Sequence, residues 1–145
     1  MDREISKKVS LTTSGRLECM IVGLGTDIIE NERIGEVYHR HGRRFLDRIF
    51  TEDEIEYAES HEDPVPYLAA RFAVKEAAVK ALNIGGATGI GWKDVEVAGK
   101  IFGKKKLLFH GRAQALALER GVNRMHVSLT HNRGLSMAVV ILEQA

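Results

Sequence analysis

The chain has 145 residues, of which 44% are hydrophobic and 28% charged, and its formal net charge is +1. This size and composition are typical of one soluble globular domain with a sizeable core, and a nearly neutral chain is unlike a nucleic-acid-binding protein. The lone Cys19 excludes a disulfide framework, argues against zinc and favours a reducing compartment, so we expect a cytoplasmic protein. No apolar run approaches the length of a membrane span, so we expect no membrane partner.

Residues 1–18 form a polar segment without the apolar core of a signal peptide. We interpret them as an N-terminal extension and assign residues 19–145 to a single domain. The domain begins with a predicted buried strand, whose apolar residues are Val22, Leu24, Ile28 and Ile29. A short amphipathic helix follows and should end at Gly42; the residues at helical spacing are Ile34, Val37, Tyr38 and His41.

The centre of the chain is predicted to be helical. Thr51 and Glu54 form a Thr-x-x-Glu capping box, which predicts the start of a second helix. Residues 67–82 are rich in Ala, Leu, Lys and Glu, the strongest helix formers, and should form a long central helix. Asn83 and Gly85 are the expected terminators, because both residue types tolerate the left-handed conformation of a helix end.

The second half of the chain mixes short strands with one helix. A glycine-rich loop leads into a half-buried strand at Val95 and Val97, and a basic turn precedes another short strand. A helix closed by Gly121 is followed by two strands over residues 125–131 and 135–143, which an Asn-Arg-Gly turn joins. The last strand is apolar on both faces, so both need cover. The irregular order of strands and helices predicts an α+β fold with mainly antiparallel pairing.

The acidic residue Asp27 stands in the first strand just after Gly23-Leu24-Gly25. This is not a dinucleotide-binding fingerprint, because Ile28 replaces the third glycine and no helix is predicted to begin there. An aspartate at a strand end is often a turn or helix-capping residue. A functional role therefore depends on a partner.

That partner is predicted on the central helix, where Glu76 shares a helical stripe with Leu68, Phe72 and Val79. A carboxylate on a buried face requires a positive partner. One candidate is Lys80, four residues on, in an ordinary helix ion pair. The other is a divalent cation shared with Asp27; two hard carboxylates without sulfur or clustered histidine would select magnesium.

Other polar residues suggest a phosphate ligand without requiring one. Arg71, Lys75 and Lys80 lie on the central helix and could bind phosphate or be solvated. In the last but one strand, Ser128 and His131 point to opposite faces, so they do not form a nucleophile and base pair. His131 itself is equally compatible with a structural role and with a ligand contact.

Arginine is concentrated in and after the first helix. The cluster has few acids, and its members are Arg33, Arg40, Arg43, Arg44 and Arg48. Such a patch is usually a solvated face, but it is also suited to docking an acidic protein by steering and bidentate pairing. A nucleic-acid partner is disfavoured because base-stacking aromatics do not alternate with the arginines.

Taken together, four motifs resemble the holo-acyl-carrier-protein synthases, the small 4'-phosphopantetheinyl transferases. They are VGLGTDIIENERI, RIFTEDEI, LAARFAVKEAAVKAL and HVSLTHN followed by MAVVILE, and the resemblance runs from about Met20 to the C-terminus. It implies an α+β fold in which a long helix packs on an antiparallel sheet, assembled as a homotrimer with active sites between subunits. It also implies transfer of 4'-phosphopantetheine from coenzyme A to a serine of apo-acyl carrier protein, in fatty acid biosynthesis.

The resemblance assigns roles to individual residues. Asp27 and Glu76 match the family's magnesium ligands, and Lys80 matches a catalytic lysine that contacts phosphate. Arg71 and His131 match positions that contact coenzyme A phosphates. The matching carrier-protein-docking arginine is Arg33, with which we group Arg40 and Arg44 of the same cluster. The resemblance leaves open whether Glu76 or a metal-bound water takes the serine proton.

Three positions depart from the family pattern. Lys105 stands where many members have proline, Asn83 replaces a glycine, and Leu135 replaces a common aromatic residue. The rival hypothesis is a non-catalytic carrier-protein or nucleotide-binding module with the same fold. The presence of both Asp27 and Glu76 argues against that rival, because a binding module has no need of paired hard ligands.

Overall fold

The computed structural model describes residues 18–83, 89–99 and 104–145. The glycine-rich stretch around Gly85 and most of the predicted basic turn lie outside these ranges. In chain order the elements are β1 (Met20–Glu30), α1 (Asn31–His41), α2 (Arg43–Ile49), α3 (Glu52–Glu59), α4 (Val65–Leu82), a 3₁₀ turn (Trp92–Asp94), β2 (Val95–Ala98), β3 (Lys106–Phe109), α5 (Gly111–Glu119), β4 (Arg124–His131) and β5 (Leu135–Gln144). The predicted α+β class is confirmed. Within the described residues, no helix combines the length and apolar character that crossing a bilayer requires.

Two antiparallel sheets contain all the strands described. The larger has the order β1-β5-β4, and β2 pairs with β3 in a separate hairpin. In the larger sheet Asp27 lies opposite Ala138, and His131 lies opposite Ser136. The two residues therefore sit on the outer strands, with the apolar strand β5 between them.

The central helix α4 packs unusually close to β1 because β1 has glycines where the two elements meet. A Cβ atom on Gly23 would lie 2.2 Å from the carbonyl oxygen of Ala81, and one on Gly25 would lie 1.8 Å from that of Ala77. Neither distance can be tolerated, so only glycine allows this approach. The Gly-x-Gly pair thus has a packing role and is not a nucleotide-binding loop.

Helix α4 begins two residues before its predicted start, at Val65. The reason is Pro66, which lies in the first turn, where the missing proline N–H costs no helical hydrogen bond. The helix ends as predicted before Asn83, but the left-handed expectation is wrong: Asn83 has φ −85° and ψ 37°. It ends the helix without adopting a glycine-like conformation.

Helices α1 to α3 form a layer at one end of α4. Gly42 ends α1 as predicted, with φ 54°, but Val37 and His41 of its predicted apolar face are exposed. The segment that follows is helical as well and forms α2. The capping box is confirmed, because the Glu54 amide donates to Thr51 Oγ1 and the Thr51 amide donates to Glu54 Oε1.

The start of α1 is tied to the turn between β4 and β5. The buried Asn31 donates to the Asn132 carbonyl oxygen at 2.8 Å and accepts a hydrogen bond from the Ser136 hydroxyl at 2.6 Å. Asn132 itself accepts from the Gly134 and Leu135 amides, which closes the predicted Asn-Arg-Gly turn. This network fixes the direction in which α1 leaves the sheet.

The two faces of the larger sheet differ in cover. On β5, the face of Ala138, Val140 and Leu142 is buried beneath α4, as predicted. The opposite face is open in the single chain, and its exposed apolar residues include Ile21, Leu24, Ile28, Met125 and Met137. The expectation that Leu24 and Ile28 are buried is therefore wrong for one chain, because its helices cover only one side of the sheet.

Candidate active site

A cavity of about 340 Å³ lies between β1, α1 and α4, and both predicted metal ligands line it. Asp27 follows Gly25 by two residues, so its side chain leaves β1 on the face that meets α4. Glu76 precedes Ala77, the residue against which Gly25 packs. The close approach of strand and helix therefore places the two carboxylates at one cavity.

Glu76 is only half-buried, so the expectation that it lies on a buried face is wrong, although Leu68 of the same stripe is fully buried. Phe72, on the same stripe, also lines the cavity, which shows that this side of α4 faces the space beneath α1. The pKa of Glu76 is nevertheless raised, first by burial and then by the charge of Asp27, while Lys80 acts in the opposite direction. The site thus holds more negative charge than one lysine compensates.

Lys80 pairs with the strand rather than with Glu76. Its ammonium donates to Asp27 Oδ1 at 3.1 Å and to the Thr26 carbonyl oxygen at 3.0 Å. Half of its side chain, 54%, remains exposed to solvent. The predicted i, i+4 ion pair is therefore replaced by a contact that holds the half-exposed Lys80 against Asp27.

The donor set is compatible with magnesium. In the described part of the chain, no three His, Cys, Asp or Glu side chains cluster in the way that a protein-only metal cage requires. Two hard oxygen ligands on opposite elements suit an ion that completes its shell with water and substrate phosphate. A bound dication would favour the ionised form of Glu76 and would so offset the rise in its pKa.

A second cavity, of about 350 Å³, contains the two residues predicted to bind coenzyme A phosphates. Arg71 and His131 line it together with Tyr57, Tyr67 and Lys105. His131 is exposed at the end of β4, and its ring meets that of Tyr67 edge-on, with centroids 5.1 Å apart. The two predicted residues are thus brought together, although they are sixty positions apart in sequence.

Arg71 is the main cation of this second cavity. Its side chain is 1% exposed, and its Nε has no hydrogen-bond partner among the described residues. The guanidinium lies 3.9 Å from the centre of the Tyr57 ring. Burial lowers the pKa of Arg71, although the group stays charged because arginine is so strongly basic. A buried cation with an unused donor is well placed to meet an anion.

In the part of the chain that the structure describes, the two cavities share no lining residue. Asp27 and Glu76 border the first, whereas Arg71 and His131 border the second. Within a single chain, the predicted site residues therefore form two half-sites rather than one pocket.

Lys75 does not take part in either cavity wall described above, and the expectation that it supports phosphate binding is wrong. Its ammonium is buried and donates to Glu54 Oε1 at 2.8 Å, to the Trp92 carbonyl oxygen at 3.1 Å and to the Val95 carbonyl oxygen. Glu54 also accepts from the Val97 amide. The pair therefore joins α3, α4 and the β2–β3 hairpin, a role that helix periodicity could not reveal.

The arginine cluster divides into locally paired and exposed members. Arg43 donates to Asp47 at 2.7 Å and to Glu52 at 2.6 Å, so nearby carboxylates neutralise it. Arg33, Arg40 and Arg44 are exposed, and Arg33 also lines the carboxylate cavity. The predicted docking residues thus lie on the α1 and α2 surface that borders the candidate active site.

Sequence reasoning missed three residues of the second cavity. Tyr57 and Tyr67 belong to different helices, and Lys105 was noted only as a departure from a family pattern. No spacing rule connects these positions, because the turn after α3 and the loop end of the β2–β3 hairpin bring them together.

Comparisons with known proteins agree with this architecture. Residues 23–140 match the 4'-phosphopantetheinyl transferase superfamily. Holo-[acyl-carrier-protein] synthases of Leptospira biflexa and Nitratidesulfovibrio vulgaris are 47% and 49% identical to the chain, covering 83% and 86% of it and 95% and 99% of their own lengths. The Neisseria meningitidis synthase structure has a TM-score of 0.71 at 32% identity, covering 85% of this chain and 98% of that one. A Bacillus anthracis synthase in complex with CoA (3',5'-ADP) has a TM-score of 0.68 at 32% identity, covering 87% and 99%.

The fold and the site define an α+β protein whose central helix brings two carboxylates to one cavity and a buried arginine to another. The sequence comparisons then identify the family. The chain belongs to the holo-acyl-carrier-protein synthases of the 4'-phosphopantetheinyl transferase superfamily.

Proposed function

We propose that this chain transfers the 4'-phosphopantetheine group from coenzyme A to a serine of apo-acyl carrier protein, with magnesium held by Asp27 and Glu76. The products are holo-acyl carrier protein and adenosine 3',5'-bisphosphate. The observation that carries the proposal is the meeting of these two carboxylates at one cavity, where each element presents one hard ligand. Family membership supplies the reaction class.

Magnesium would neutralise the pyrophosphate of coenzyme A and stabilise the charge that develops during phosphoryl transfer. Asp27 and Glu76 would hold the ion between β1 and α4. Lys80, half exposed beside Asp27, would contact the phosphate that leaves with the adenosine bisphosphate. Arg71 and His131 would hold the nucleotide end by its phosphates.

The reaction needs the serine hydroxyl in line with the phosphorus and a group to take its proton. Glu76, at the carboxylate cavity, is the proposed general base. It would receive the serine proton directly or through water. In this mechanism Glu76 both positions the phosphate and assists attack.

The functional unit is proposed to be a homotrimer with an active site shared between subunits. Two observations support it: the outer face of the larger sheet is apolar and open, and the two half-sites of one chain are separate. A closed ring of heterologous contacts between subunits would cover the open sheet face. It would also bring Glu76 of one subunit to His131 of the next.

The acidic carrier protein is proposed to dock on the exposed arginines Arg33, Arg40 and Arg44. Their position beside the carboxylate cavity would bring a carrier serine to the pyrophosphate. The lone Cys19 supports a cytoplasmic location for this reaction. No observation favours the rival, a non-catalytic binding module.

The test is to replace each carboxylate with its amide, as Asp27→Asn and Glu76→Gln. Both variants should lose transfer by about a thousandfold or more, because magnesium coordination contributes several kcal/mol to the transition state. The measurement is mass spectrometry of apo-acyl carrier protein incubated with coenzyme A and magnesium. Glu119→Gln, which changes an exposed carboxylate on α5, is the matched control and should retain wild-type activity.

Thermal denaturation separates metal binding from a merely structural role. Magnesium should raise the melting temperature of the wild type and of Glu119→Gln, but not of Glu76→Gln. Without magnesium Glu76→Gln should be at least as stable as the wild type, because a carboxyl with a raised pKa costs stability where it is ionised. A folded Glu76→Gln variant with near-normal transfer would contradict the proposal.

A further inference from the structure

Lys105 enters the second cavity from the loop end of the β2–β3 hairpin, one residue before β3. Its ammonium lies 3.2 Å from the Tyr57 hydroxyl oxygen, to which it donates, and 4.4 Å from the centre of the Tyr57 ring. Arg71 lies over the same ring, at 3.9 Å from its centre. Tyr57 thus holds two cations at one cavity, and both of them line it.

The backbone fixes the origin of the Lys105 side chain. At Gly99, which has φ 133°, an added Cβ would lie 2.9 Å from the Lys104 carbonyl oxygen and 3.2 Å from the Lys105 Cα. The backbone at Gly99 therefore touches the backbone at Lys104 and Lys105, which fixes the point from which the Lys105 side chain extends. The lysine is half-buried, in contrast to Lys104 and Lys106, which are exposed.

The charges around this cavity all suit an anion. Among the residues that the structure describes, its lining contains Arg71, Lys105 and His131 but no carboxylate. The carboxylates Asp27 and Glu76 lie in the first cavity, where a dication would take the pyrophosphate. Coenzyme A carries one further phosphate, the monoester on its ribose, which has no role at the bond that breaks.

We propose that Lys105 is an additional substrate-binding residue that, with Arg71, holds the ribose 3'-phosphate and sets the preference for coenzyme A over its 3'-dephospho form. This inference rests on the proposed function. Two cations across one tyrosine ring provide more donors than a single arginine for a doubly charged phosphomonoester. A substrate without the 3'-phosphate should therefore gain no affinity from Lys105.

The experiment measures how Lys105→Gln changes inhibition of transfer by adenosine 3',5'-bisphosphate and by adenosine 5'-monophosphate. Affinity for the bisphosphate should fall by about tenfold or more, the usual effect of losing a hydrogen bond to a charged group. Affinity for the monophosphate should stay the same. The KM for coenzyme A should rise likewise, whereas that for 3'-dephospho-coenzyme A should not change.

Two variants keep the result interpretable. Lys105→Arg keeps the charge and should retain the preference for the 3'-phosphate. Lys106→Gln removes an exposed charge one residue away and should behave like the wild type. Melting temperatures report whether each variant is folded. If Lys105→Gln weakens both nucleotides equally, or neither, Lys105 does not read the 3'-phosphate and the inference is overturned. A wild type that lacks transfer altogether would instead refute the proposed function.

Discussion

Three cations of helix α4 look alike in the sequence but meet three different environments. Lys75 is buried against Glu54, and Lys80 is half exposed beside Asp27. Arg71 is buried at a cavity, and its Nε has no hydrogen-bond partner within residues 18–83, 89–99 and 104–145. Arg71 and Lys75, four residues apart, lie on one side of the helix and Lys80 lies on another. The neighbouring elements then decide which of these charges is paired within the fold. Only Arg71 and Lys80 remain available to a ligand.

The arginine cluster likewise contains charges paired within the fold and charges that remain exposed. This difference leads to a prediction about docking. Reversing Arg33 and Arg40 to Glu should weaken carrier-protein binding and flatten its salt dependence, because steering by opposite charge is screened within about 8 to 10 Å. Coenzyme A affinity should fall less than carrier-protein affinity, because Arg33 lines the carboxylate cavity and Arg40 does not. The measurement is the KM for each substrate at several salt concentrations.

A control with the same change in net charge tests whether the effect is local. The pair Lys106→Glu and Arg112→Glu changes exposed cations on β3 and α5. This variant should retain wild-type carrier-protein affinity. Equal weakening by both pairs would indicate a general charge effect and would count against a docking surface on α1.

Helix α4 and strand β1 act as one unit because their backbones touch at two glycines. Gly25→Ala should destabilise the chain by about 3 kcal/mol or more, since its Cβ would lie 1.8 Å from a backbone oxygen that cannot move alone. The helix would have to shift, which would also separate Glu76 from Asp27 and reduce transfer. Urea denaturation at equilibrium measures the change in the free energy of unfolding.

The matched glycine is Gly35 in α1. A Cβ there would be 3.4 Å from the Val65 side chain, an ordinary contact. Gly35→Ala should therefore be neutral or stabilising by about 0.5 to 1 kcal/mol, because alanine is the better helix former. If both substitutions had the same effect, close strand and helix packing would not be the reason for Gly25.

The buried pair Glu54 and Lys75 connects three further elements. Lys75→Met should cost about 3 to 5 kcal/mol, because it leaves the Glu54 carboxylate buried without its cation. Glu54→Gln together with Lys75→Met should be less destabilising than the sum of the two single changes. A double-mutant cycle by urea denaturation measures this coupling, and strictly additive losses would mean that the ion pair does not link α3 to α4.

At the scale of the whole molecule, the open sheet face and the divided site predict a homotrimer in which neighbouring subunits share each active site. Wild-type protein should sediment as a trimer at micromolar concentration. Met137→Glu, which places a charge on the exposed apolar face, should give monomers without transfer activity. Sedimentation equilibrium tests both, and a fully active monomer would be incompatible with the shared site.

Mixing inactive chains tests which subunits supply the site. Glu76→Ala and His131→Ala proteins, each inactive alone, should regain partial activity when they are refolded together. Recovery is expected because some interfaces would then combine an intact Glu76 with an intact His131. A mixture that stays inactive would indicate that each site lies within one chain.

The sequence by itself determined the α+β class, the capping box, the extent of α4 to within two residues and the apolar pattern of β5. These features follow from local rules, since helix propensity, capping and side-chain alternation are set by nearby residues. Motif resemblance added the family and the candidate site residues, and the family is confirmed.

Only the tertiary structure decided which charges serve the fold and which remain for a ligand. Lys75 pairs with Glu54 across 21 positions, and Tyr57 meets Lys105 across 48, contacts that depend on how helices and hairpin pack. Tertiary packing likewise revealed that Gly23 and Gly25 allow α4 to approach β1 closely. Local sequence cannot specify such contacts, because burial and long-range proximity arise only when the whole chain has closed around its core.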